Sequence, residues 1–101
     1  MLSLEEIRHA IVPLAEKYGI DRVFLFGSYA RGEATDQSDI DLRIDRGTMG
    51  GLHFGGFYED VLSALQCPAD IITTPNVPSD FLKHIQKEEI LLYDRKQAVA
   101  I

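Results

Sequence analysis

The chain has no tryptophan, a single cysteine and only four prolines in 101 residues. With Cys67 alone, an internal disulfide is excluded, and the composition fits a reducing, cytoplasmic setting. No base is paired with Cys67 in the sequence pattern, so it reads as a packing residue. Positive charge is also scarce: 10 Lys and Arg stand against 16 Asp and Glu, for a net charge of −6. That balance argues against a face that binds nucleic acid directly, though not against a nucleotide held through metal ions. No apolar run reaches the roughly 18 residues of a membrane span. The N-terminus opens on an acidic amphipathic pattern rather than a leader. Internal repeats and low-complexity tracts are missing too. The length is that of a single domain, residues 1–101, with one core.

What is present is concentrated between Val23 and Asp45, in VFLFGSYARGEATDQSDIDLRID. The apolar run Val23–Phe26 predicts a strand buried on both faces. It breaks at Gly27-Ser28, where the chain turns into a short helical piece, Tyr29–Arg31, in which Tyr29 is read as packing. After a polar loop, Asp39 to Asp45 alternates strictly, the period of a half-buried strand. Ile40, Leu42 and Ile44 then face the core, and Asp39 and Asp41 point together to the other side, about 7 Å apart. Two carboxylates so placed repel, and a divalent cation is the usual compensation for oxygen-only ligands. Glycine at 27 lets a ligand approach the backbone. The amides after it, with the Ser28 hydroxyl, suit an anion such as phosphate. Arg31, one turn on, is placed either to reach a polyphosphate or to pair with Glu33 or Asp36. A metal pair beside a phosphate cradle is the equipment of phosphoryl or nucleotidyl transfer. Nine aspartates give about one Asp-x-Asp by chance. The signal is therefore the fixed spacing of ten residues between Gly27-Ser28 and Asp39-x-Asp41. Arg43 shares the acidic face and has three candidate roles: neutralising the carboxylates, touching a phosphate, or pairing with Asp45. Tied to Asp41, it would weaken metal binding.

The remaining elements read as scaffold. Ser3 with Glu6 forms a capping box flanked by a Leu2–Ile7 staple. Leu4, Ile7, Ile11, Leu14 and Tyr18 mark an apolar helical stripe, closed by Lys17 and Gly19. Pro13 should kink or divide that helix. His9 has no ligand partner at i+4 and is expected at the surface or in packing. Arg46 to Gly56 holds five glycines in eleven residues and predicts a mobile loop, a connector or a lid. His53 in it is a weak substrate-contact candidate. A helix from Phe57 to Gln66 with Phe57, Val61, Leu62 and Leu65 inward follows. Next come a strand over 69–73 opened by Asp70, a turn at 75–78, and a helix over 81–88 capped by Ser79. An edge or closing strand over 90–93 and a fraying tail over 97–101 complete the chain.

The segment LFGSYARGEATDQSDIDL resembles the signature of the polymerase-beta-type nucleotidyltransferases, and within them the minimal nucleotidyltransferase (MNT) antitoxins encoded beside HEPN toxins. The resemblance implies an α/β (α+β) fold, a small mixed sheet with helices packed on it. It also implies two Mg²⁺ ions held by Asp39, Asp41 and Asp70, with Asp70 polarising the attacking hydroxyl. Gly27, Ser28 and Arg31 would bind the phosphates of a nucleoside triphosphate, ATP by the same resemblance. The family's activity is adenylylation of a tyrosine on the HEPN partner, which neutralises the toxin. With no residues left for an acceptor-binding domain, the acceptor is expected from another protein. Two alternatives stay open: an inactive antitoxin that acts by binding alone, and a small-molecule nucleotidyltransferase subunit.

Overall fold

The computed structural model describes residues 1–97. Helix α1 (Leu4–Tyr18) leads into β1 (Arg22–Phe26), the single turn α2 (Ser28–Arg31) and β2 (Ile40–Asp45). Then come α3 (Phe54–Leu65), β3 (Ala69–Thr73), α4 (Ser79–Gln86) and β4 (Ile90–Asp94). The four strands form one mixed sheet in the order β3-β2-β1-β4. β1 runs antiparallel to both β2 and β4, while β2 and β3 run parallel. The expected small mixed sheet with helices packed on it is what forms.

The core lies on one face of the sheet. Val23, Leu25, Ile40, Leu42 and Ile44 meet Ile7, Ile11 and Ala15 of α1 and Phe57, Val61 and Leu65 of α3, all buried. Each large aliphatic side chain so removed from water contributes roughly 1.5–3 kcal/mol. A Leu42→Ala change would cost about 2–5 kcal/mol once the cavity is included. The predicted burial of β1 on both faces is met more thinly. Val23 and Leu25 lie in the core, while Phe24 on the other face is half-buried and Phe26 there meets the edge of the Phe81 ring of α4 at 6.2 Å.

Several local expectations are corrected. α1 begins with the Ser3–Glu6 capping box and ends at Gly19, in a left-handed conformation at φ 71°, as expected. It runs through Pro13 undivided. Pro13 and His9 are both on the exposed side, where water can serve the carbonyl that the proline leaves unbonded. Ala15, not Leu4, completes the buried stripe, and Leu4 is exposed. α3 starts at Phe54, inside the glycine-rich stretch, where the Phe54 ring packs on Tyr58 one turn later. Gly56 there leaves room for the Tyr18 hydroxyl. Leu62 points outward, and only Phe57, Val61 and Leu65 are buried. In the rest of that stretch Met49 is buried and Thr48 bonds the Gly19 carbonyl through both its amide and its hydroxyl, while Leu52 is exposed. Ser79 lies within α4 and makes no cap, since Pro78 takes the N-cap position. The predicted fraying of 97–101 falls, beyond Gln97, outside the described residues.

Candidate functional site

The site is assembled by two strand pairings. In the antiparallel pair of β1 and β2, Phe26 stands opposite Asp41. The turn that follows Phe26 is therefore delivered to the start of β2. In the parallel pair of β2 and β3, Asp41 stands opposite Asp70. Three segments distant in sequence thus meet at one end of the sheet, with Asp39 immediately before β2.

Gly27 is required there twice over. Its backbone, at φ 76° and ψ −155°, is one that side chains rarely permit. A Cβ at this position would also collide with the Asp41 carboxylate. Asp41 therefore points at the Gly27 backbone. Ser28 opens α2 and lines, with Gly27, Arg31 and Asp41, a cavity of about 320 Å³ that His84 of α4 and Glu88, just beyond that helix, also line.

The electrostatics follow from the crowding. Burial first, then the charges of Asp70 and Asp39, pushes the Asp41 carboxyl up to about 6. Tyr58 of α3 approaches the same cluster. Its hydroxyl donates to the Ala69 carbonyl at 2.5 Å, fixing the start of β3 next to Asp70. Burial and then the charge of Asp70 raise its own pKa. All-oxygen donors that repel one another suit a hard divalent cation. The fit is one of chemistry. Among the described residues no three acidic, histidine or cysteine side chains are drawn together tightly enough to hold one ion.

Arg31 makes the pair with Glu33 that the sequence left open, makes none with Asp36, and adds a contact to Glu88 that the sequence did not suggest. Its Nε donates to Glu33 at 2.8 Å, and its Nη1 reaches across to Glu88 at 2.9 Å. Arg43 leaves Asp41 alone. Its guanidinium is buried, grips Glu89 with Nε at 3.0 Å and Nη2 at 2.6 Å, and donates to the Thr74 hydroxyl at 2.7 Å. It lies 4.2 Å from the centroid of the Phe24 ring and 3.6 Å from Asp45. Arg43 is thus a brace behind the site. His53 opens instead onto a surface shared with Lys17, Tyr18 and Thr48. Cys67 is half-buried, and burial pushes its thiol pKa up, which suits packing rather than nucleophilic attack. Glu88, Glu89 and Tyr58 carry no motif and were not legible as site neighbours in the sequence. Two adjacent glutamates at a helix end look like any solvated surface.

The polymerase beta nucleotidyltransferase family model matches residues 9–98. The chain belongs to this nucleotidyltransferase family. Among its relatives is the protein adenylyltransferase MntA of Thermococcus cleftensis, 32% identical over 95 residues, which are 89% of this chain and 96% of that protein. A solved structure assigned to the minimal nucleotidyltransferases superimposes with a TM-score of 0.76 at 28% identity, covering 88% of this nucleotidyltransferase and 95% of that chain. A chain from the complex of a tri-AMPylated Shewanella oneidensis HEPN toxin with MNT antitoxin shares the fold. Its TM-score is 0.69 at 17% identity, over 94% of this chain and 76% of that one. No helix among the described residues of this nucleotidyltransferase is long and apolar enough to cross a membrane.

Proposed function

We propose that the chain is a protein adenylyltransferase that moves AMP from ATP to a hydroxyl on a HEPN-type toxin and so acts as its antitoxin in the cytoplasm. The observation that carries this reading is the meeting of Asp41 with Gly27 on one side and Asp70 on the other. The relatives' names and the AMPylated HEPN complex of the neighbour support the nucleotide and the partner.

In this reading Asp39, Asp41 and Asp70 hold Mg²⁺, which when bound supplies Lewis-acid stabilisation to the phosphates. Gly27, Ser28 and Arg31 hold the outer phosphates through the backbone amide, the hydroxyl and the guanidinium. The α-phosphorus is thereby presented to the open side of the sheet end, where Asp39 and Asp70 are exposed. The acceptor oxygen attacks the α-phosphorus in line, and its proton passes toward Asp70. The new O–P bond forms as the bond to the β-phosphate oxygen breaks, and pyrophosphate leaves. No covalent enzyme intermediate is required. Incubating the protein with labelled ATP, Mg²⁺ and a co-expressed HEPN-domain protein should transfer label to that protein. Absence of transfer would overturn the reading.

A further inference from the structure

Glu88 lies outside the sequence motif, yet its carboxylate makes the contacts assigned to a phosphate oxygen. Its Oε2 accepts the Gly27 N–H at 2.8 Å and sits 2.9 Å from Nη1 of Arg31. The side chain is only 18% exposed and lines the same cavity as Ser28 and Asp41. A fourth negative group beside three aspartates is unfavourable by Coulomb's law. Two charge-assisted hydrogen bonds offset that cost and hold it there.

The neighbouring residue explains how such a group can leave. Glu89 points the other way and is locked in the bidentate pair with buried Arg43. The backbone amides of Glu88 and Glu89 both donate to the Ile85 carbonyl at 3.0 Å. The chain path at 88 is thus pinned between α4 and β4. Rotation of the Glu88 side chain alone breaks both of its contacts, with no rearrangement of the backbone.

We propose that Glu88 is an internal competitor for the anion seat. Its carboxylate occupies the position between Gly27 and Arg31 and swings out when the phosphates of a nucleoside triphosphate engage, while residues 85–90 stay in place. The proposal deepens the nucleotide-binding reading above and rests on it. One consequence is selectivity. A polyphosphate with several charges and a metal ion displaces Glu88, whereas a single small anion does so poorly.

The test is a calorimetric titration of wild type, Glu88→Gln and Glu88→Ala with two probes, ATP with Mg²⁺ and tripolyphosphate with Mg²⁺. Thermal melts confirm that each protein is folded. Removing the competing charge should tighten both probes by roughly tenfold to a hundredfold, the scale of one charged hydrogen bond. If wild type binds ATP and both variants bind it equally or more weakly, Glu88 is a brace for Gly27 and the competitor is overturned, with the nucleotide reading intact. If ATP fails throughout but tripolyphosphate tightens in the variants, the competitor stands and the nucleotide assignment falls. Binding of neither probe by any of the three proteins overturns both.

Discussion

Asp41 on β2 stands opposite Asp70 on β3 in the parallel register, so the two carboxylates are held side by side by backbone pairing. The same Asp41 carboxylate leans toward Gly27. Its position is thus constrained from two directions before any ligand enters, as the role proposed for it at the phosphates requires.

That placement has a stability cost with a definite pH dependence. Burial, Asp70 and Asp39 lift the Asp41 carboxyl to about 6, against roughly 3.9 for an unfolded aspartate. A raised acid favours the fold while protonated. The contribution is fully present below about pH 4 and is lost as pH climbs through about 6. Asp41→Asn should therefore melt a few degrees above wild type at neutral pH, with the gap closing towards about pH 4. Circular dichroism melts across this range check the sign. Millimolar Mg²⁺ should raise the wild-type melting temperature and leave Asp41→Asn unmoved.

In transfer assays Asp41→Asn and Asp70→Asn should each lower label transfer to the proposed HEPN-type partner by about a hundredfold or more, the scale of losing charge stabilisation at phosphorus. Complex formation, followed by size exclusion, should survive. If the substituted proteins still neutralise the partner as wild type does, neutralisation runs by binding and not by modification.

Gly27→Ala should destabilise by about 1–3 kcal/mol from backbone conformation alone, and Asp41 must shift to make room for the methyl group. Urea unfolding measures the first effect. The nucleotide affinity of the folded fraction measures the second.

Behind the site, Arg43 and Glu89 are buried to 5% and 8% side-chain exposure, so removing one partner strands the other. Arg43→Met should cost about 3–5 kcal/mol, while Arg43→Met with Glu89→Met should recover most of it. A double-mutant cycle in urea gives the coupling directly. No recovery would show that Arg43 acts mainly through Thr74 and Phe24.

The sequence displayed whatever repeats or alternates. The capping box of α1 and the strand from Ala69 to Thr73 stand where their patterns place them, and the alternating strand forms over Ile40–Asp45, with Arg43 buried against the pattern. It misled where one residue type serves two purposes. Gly55 and Gly56 spell a loop but lie in the first turn of α3, because Phe54 finds Tyr58 one turn later. Ser79 spells a cap but sits inside α4, behind Pro78. Arg43 had three roles open to it in the sequence; its pairing with Asp45 is observed, but only the return of the chain at Glu89 shows where most of its charge goes. Such partners are set by tertiary closure, and no local pattern records them.

The pairing of Phe26 with Asp41 also changes what the ten residues between Ser28 and Asp39 mean. The ladder of hydrogen bonds joins the two halves of the site, so beyond α2, which carries Arg31, the loop over 32–38 is a leash and not a ruler. Doubling its length would add roughly 0.6 kcal/mol of closure entropy and leave both anchorages where they are. The count by which the motif is read is therefore one that the folded molecule could afford to lose.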